Sequence, residues 1–281
     1  MQRTKSKLLS ILLSLVMLLS LLPTTALAAS PTYVRVYNEN KKLISLNDGE
    51  CLTANDAGSA TSYTSGSPYV ARYASGKLYL KDYHGVAATE GMIFANGDLN
   101  IEVESNSSFT TSTTATNNLY GIQANGKLNI SGSGKLTVTA NGKGDVYGIY
   151  ANDGVTISAP LDVQTSTTDN GTVYGIYTRS GAISLSGADK IITATGGNTQ
   201  AAYGVYNAAN TSTAITNNGN IDISGKLTVN LNDGDSNDGI RTDGSGTITL
   251  DGATVNIPSN FASGIYNFKG NVVIKNSPNV T

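Results

Sequence analysis

The chain has 281 residues, with 18 Lys and Arg against 20 Asp and Glu, a formal charge of −2. Charged residues make up only 14%, against roughly 25% in an ordinary globular chain, which excludes a coiled coil or a charge-driven disordered tail. A single cysteine, Cys51, excludes an internal disulfide framework and any CxxC metal motif. The single histidine, His84, leaves little for a zinc site or a His-based triad, and no basic stripe suited to nucleic acid is present.

Arg3, Lys5 and Lys7 open the chain, an apolar run from Leu8 to Leu22 follows, and Pro23 then leads into Thr-Thr-Ala-Leu-Ala-Ala. This is the layout of a secretion signal, expected over residues 1–28 with cleavage after Ala28. The apolar run falls short of the ~20 residues that span a bilayer. The mature chain is thus expected outside the cell, secreted or wall-associated, with no membrane insertion. Losing three of the 18 cations leaves 15 against 20 acids, a net charge of −5.

Residues 29–90 carry strand-like runs at Tyr33–Tyr37, Leu43–Leu46, Tyr69–Tyr73 and Leu78–Leu80 but lack the period that follows. They are expected to form an N-terminal β cap over the open edge of the first coil.

From residue 91 a phrase recurs: Tyr120-Gly-Ile-Gln123, Tyr147-Gly-Ile-Tyr150, Tyr174-Gly-Ile-Tyr177 and Tyr203-Gly-Val-Tyr206, with weaker copies at Asp238-Gly-Ile-Arg241 and Ser263-Gly-Ile-Tyr266. The glycines are 27, 27, 29, 35 and 25 residues apart, a period that signals a stacked repeat. Between phrases lie apolar-polar-apolar triplets such as Leu128/Ile130, Leu136/Val138, Val155/Ile157 and Leu161/Val163, separated by Gly, Asn, Asp and Ser. Three short strands and three turns in ~27 residues describe one coil of a parallel β-helix. Residues 91–281 are therefore predicted to be an all-β solenoid, right-handed by the general rule for parallel crossovers. Ile93, Ile122, Ile149, Ile176, Val205, Ile240 and Ile265 would form an inward column. Asn96-Gly97 and Asn125-Gly126 would take left-handed corner conformations. The chain stops in mid-coil by the repeat count, so further coils are expected beyond residue 281.

Strand parity then places Phe94, Gln123, Tyr150, Tyr177, Tyr206, Arg241 and Tyr266 outward. A strip of aromatics with polar neighbours can stack on sugar rings, so Phe94, Tyr150, Tyr177, Tyr206, Arg241 and Tyr266 are the candidate carbohydrate-binding residues. The same column could instead only stiffen the stack. The second set of tyrosines, Tyr120, Tyr147, Tyr174 and Tyr203, has inward or corner parity and reads as structural. Asp233, Asp235, Asp238 and Asp243 could gather around calcium, although the stretch matches no EF-hand. No catalytic residue is identified. The outward column holds no carboxylate pair for glycoside hydrolysis, and Arg241 with Asp238 and Asp243 is the one grouping that a lyase could use.

Leu78-Tyr-Leu-Lys-Asp-Tyr83, Ile93-Phe-Ala-Asn-Gly-Asp-Leu-Asn-Ile101 and the Tyr-Gly-Ile-Tyr coils resemble clostridial exported carbohydrate-binding-domain proteins with a polysaccharide-lyase-like right-handed β-helix. The leader ending Leu-Leu-Pro-Thr-Thr-Ala-Leu-Ala28 is similar to those of Gram-positive gut Firmicutes. The resemblance implies binding of plant or acidic polysaccharide, or of a host glycan, sometimes with calcium, and wall attachment through modules further along such chains. Taken together, the sequence is expected to encode a non-catalytic carbohydrate-binding module. A structural or adhesive surface rod is the alternative, and a calcium-dependent polysaccharide lyase comes third.

Overall fold

The structure, a computed structural model, describes residues 30–89, 91–197, 201–208, 219–232, 237–257, 263–276 and 278–281. The expected signal over 1–28, and Asp233 and Asp235 of the expected calcium group, lie outside these residues. Within them every regular element is a β-strand and there is no α-helix. No helix long and apolar enough to cross a membrane occurs among the described residues.

The strands form three long, mainly parallel sheets that the chain visits in rotation. The first face stacks Gly91–Ala95, Leu119–Ala124, Val146–Ala151, Val173–Thr178, Ala202–Asn207, Asp238–Thr242 and Ser263–Asn267. Six full turns separate the first of these from the last. This is the parallel β-helix that the repeat implied. The second face carries Leu99–Val103, Leu128–Gly132 and their successors, and the third carries Ser107–Ser112, Leu136–Gly142, Leu161–Thr167, Lys190–Thr195 and Lys226–Asn232.

The register pairs each repeat with its equivalent one coil on, so Ile93, Ile122, Ile149, Ile176, Val205 and Ile240 stand in one column. All six are fully buried, each contributing roughly 1.5–3 kcal/mol relative to exposure. Ile265 extends the column and is half-buried. Among the described residues, a charged one interrupts the apolar filling. On the third face Leu161 pairs with Lys190, which pairs with Leu227. Lys190 is 1% exposed, its ammonium donating to the carbonyls of Ser186 and Ala188, both at 2.5 Å.

Parallel pairing starts before the first Tyr-Gly phrase. Lys77–Leu80 pairs with Leu99–Val103, and His84–Ala87 with Ser107–Ser112, each in parallel. Ahead of them, Ala71–Ala74, Glu50–Leu52 and Thr61–Ser62 extend the second sheet in antiparallel fashion. A hairpin of Tyr33–Tyr37 and Leu43–Asn47 covers the edge of the tyrosine face, joined through Val34 to Ala95 and Arg35 to Phe94.

The two Asn-Gly corners differ from each other. Gly97 has φ 152°, in the region that glycine favours, whereas Gly126 is not left-handed. Gly126 answers a close approach instead: a Cβ there would lie 2.1 Å from the Asp98 Oδ1 atom, the same oxygen that accepts from the Lys127 amide at 2.7 Å.

Candidate binding site

Along a regular strand, side chains alternate between faces. In Val146–Ala151 they do not: Val146, Gly148, Ile149 and Ala151 are buried toward the core, while Tyr150 is half-buried on the outer side. The register pairs Tyr147 with Tyr174 and Ile149 with Ile176 and skips the glycine between. Gly148 therefore takes an extra inward step. A Cβ on it would lie 2.3 Å from Val163 Cγ1 and 2.8 Å from the Gly175 carbonyl oxygen, so only glycine fits. The same packing repeats at Gly121, Gly175 and Gly204.

This extra step corrects the expected direction of the first tyrosine column. Tyr120, Tyr147, Tyr174 and Tyr203 are neither inward nor corner residues. They stand beside Tyr150, Tyr177 and Tyr206 on the same outer surface, and ring contacts link the two columns throughout. Tyr147 meets Tyr150 edge-on at 5.4 Å, and Tyr174 meets Tyr177 edge-on at 5.1 Å. Within the columns the rings stack: Tyr120 on Tyr147 at 5.0 Å, Tyr147 on Tyr174 at 4.7 Å, Tyr174 on Tyr203 at 5.3 Å, and Tyr150 on Tyr177 at 5.3 Å. These separations follow the ~4.8 Å spacing of paired strands.

All the outward residues inferred from the sequence fall in one column, since Phe94, Gln123, Tyr150, Tyr177, Tyr206, Arg241 and Tyr266 are successive register partners. Their geometry nevertheless differs from a flat platform. Tyr177 has a ring against each face, Tyr150 on one side and Tyr206 on the other. What this surface offers to solvent is ring edges and hydroxyls. Burial raises the phenol pKa values of Tyr147, Tyr150, Tyr174, Tyr177, Tyr203 and Tyr206, that of Tyr177 to about 12.

Arg241 continues the stack. Its guanidinium lies 5.4 Å from the Tyr203 ring centroid, 5.6 Å from that of Tyr206 and 4.7 Å from that of Tyr266. It donates to Asp238 and Asp243, each at 2.8 Å, and Asp243 also accepts from the Tyr206 hydroxyl. Burial by itself would lower the Arg241 pKa, but the hydrogen bonds it donates to Asp243 and Asp238 outweigh it and hold the pKa above its usual value. The two described carboxylates of the expected calcium group are thus both engaged by a cation. Among the described residues no cluster of three His, Cys, Asp or Glu could hold a metal.

A concave feature of this surface lies at the other end of the stack. The strand before Tyr120 places Gly91 in register beneath it. Gly91 has no side chain to stack on Tyr120, and both residues line a cavity of about 680 Å³. Phe94 and Gln123 form its floor, and the cap hairpin supplies Arg35, Tyr37 and Leu43 as one wall. Its size falls within the range of small-ligand sites. Arg35 stacks on Phe94, its guanidinium carbon 4.1 Å from the ring centroid. Arg35 was not singled out from the sequence, and Tyr120 was read there as structural. The alternation in Tyr33-Val-Arg-Val-Tyr37 does place Arg35 outward, but nothing in it shows that the hairpin folds over Phe94.

No family model matches this chain, and no curated protein or solved structure does so either.

Proposed function

We propose that the protein is an exported, non-catalytic carbohydrate-binding β-solenoid, with its sugar site in the cavity at the Tyr120 end of the tyrosine stack. The observation that carries this reading is that Tyr120, whose register partner in the preceding coil is the side-chain-free Gly91, lines this cavity. A sugar ring packs against an aromatic face, and Tyr147, Tyr174 and Tyr177 further along have a ring on either side. Phe94, Gln123 and the hydroxyl-bearing rim supply an apolar floor with a few polar groups, the usual make-up of a small-ligand site. A Tyr37 hydroxyl–Thr89 contact at 2.8 Å holds part of that rim. Of the residues inferred from the sequence, Phe94 takes part in this site. Tyr150, Tyr177, Tyr206, Arg241 and Tyr266 line the neighbouring ladder.

Affinity electrophoresis of the purified protein through gels containing polygalacturonate, xylan, cellulose derivatives or mucin glycans tests the reading. Retardation by at least one polymer is expected, lost in Tyr120→Ala and kept in Tyr177→Ala, with near-UV circular dichroism confirming that both variants fold. Retardation by none of the polymers would sink the proposal.

A second reading, a surface rod without sugar binding, is favoured by the stacking itself, because the ladder spends its ring faces on rigidity. It predicts no retardation at all. A lyase reading would need Arg241 as a base, and the two carboxylates that keep it protonated work against that role.

A further inference from the structure

We propose that the cavity selects sugars carrying a carboxylate and that Arg35 recognises that group; this rests on the sugar-binding reading above. The chain is acidic overall, yet Arg35 is the one charged residue among the twelve described residues that line the cavity. It forms no ion pair and no side-chain hydrogen bond among the described residues, and its Nε is buried without a partner. An Nε closed to solvent is closed to a ligand as well, so an anion would meet the terminal nitrogens of this guanidinium, which has no ion-pair partner among the described residues.

The placement suits the role. Arg35 sits in Tyr33–Tyr37, directly opposite Phe94 in the register, and its guanidinium lies over that ring. A guanidinium resting on an aromatic face keeps its edge free for the paired N–H contacts that a planar carboxylate accepts. Two other arginines show the difference. Arg241 spends its donors on Asp238 and Asp243. Arg72 also has an unpartnered Nε, but the rings of Tyr63, Tyr69 and Tyr79 surround it at 4.6, 5.2 and 4.1 Å, and it borders no described cavity. Arg35 alone of the three combines a guanidinium without an ion pair with ligand-sized space that an aromatic ring, Tyr120, also lines. A hexuronate fits this pair of groups: its ring would lie on Tyr120 and its carboxylate would meet Arg35.

The test compares oligogalacturonate with the same oligomer after reduction of its carboxyl groups to alcohols, by titration calorimetry on the unmodified protein. The uronate is expected to bind at least about tenfold tighter, the scale of a charge-assisted hydrogen bond. Arg35→Gln is expected to abolish that preference. Arg35→Lys, which keeps the charge but not the fork, is expected to restore only part of it. Equal binding of the two oligomers overturns this inference and leaves the sugar-binding reading standing. Binding of neither oligomer, together with no retardation by any neutral polymer, overturns both.

Discussion

The rings of Tyr147 and Tyr174 lie 4.7 Å apart with their planes 5° from parallel, and Tyr147 is only 8% exposed. A ring stacked on Tyr120 and Tyr174 and met edge-on by Tyr150 and Tyr177 is part of the packing, although it projects from the outer side of the sheet. Tyr147→Ala should therefore cost about 3 kcal/mol, as for other large buried aromatics. Tyr147→Phe, which keeps the stack, should cost about 1 kcal/mol or less. Urea unfolding followed by circular dichroism measures both, and equal losses would show that the hydroxyl, not the stack, carries the stability.

A methyl group at Gly175 should be more damaging than its size suggests. Its carbon would lie 2.2 Å from Ile192 Cγ2 and 2.6 Å from the Gly204 carbonyl oxygen. The backbone cannot move without displacing the next coil, so Gly175→Ala should cost about 3 kcal/mol or more and weaken the near-UV tyrosine signal. Ser184→Ala, on the second face, should leave both unchanged. A melting temperature for Gly175→Ala equal to that of the unmodified protein would contradict the inward glycine.

Alkaline pH should unfold the protein early. Burial raises the Tyr177 phenol from 10.0 to about 12, so in the folded state it holds its proton after the unfolded chain has lost it. The unfolded state then binds fewer protons, and stability falls as pH rises. Stability from this group is complete below pH 10 and is lost progressively between pH 10 and 12. Tyr177→Phe should lessen that slope, as read from melting temperatures across the window.

Lys190 works in the opposite direction. Burial lowers its pKa from 10.5 to about 8, so between those values the unfolded chain holds the extra proton and stability rises with pH. Lys190→Met should raise stability below pH 8, by an amount on the order of 3 kcal/mol less whatever the Ser186 and Ala188 carbonyls lose with their donor. It should also remove the upward slope between pH 8 and 10.5. An unchanged slope in the variant would assign it to another group.

Much of this fold is legible in the sequence because the apolar column is periodic. Ile122, Ile149 and Ile176 announce the coil, and triplets such as Val155/Ile157 announce the other two faces. The direction of Tyr147 was not legible, because alternation counts one step per residue and Gly148 and Ile149 both turn inward. The first parallel strands, Lys77–Leu80 and His84–Ala87, escaped the repeat because the Tyr-Gly phrase marks a single face. The cavity was hidden for a different reason: Arg35 and Phe94 meet across an antiparallel join, and no spacing within either segment encodes that meeting.

The chain contains 15 tyrosines and no tryptophan, so no indole drains the excitation absorbed by the phenols. That energy passes from phenol to phenol before it is emitted: transfer along a column of near-parallel rings turns the emission dipole little, whereas transfer across to an edge-on ring, as from Tyr147 to Tyr150, turns it widely. The emitted light should consequently be strongly depolarised while the coils remain in register, and polarisation should recover when substitution or unfolding separates the rings. An unlabelled sample thus reports optically on the integrity of its own stack.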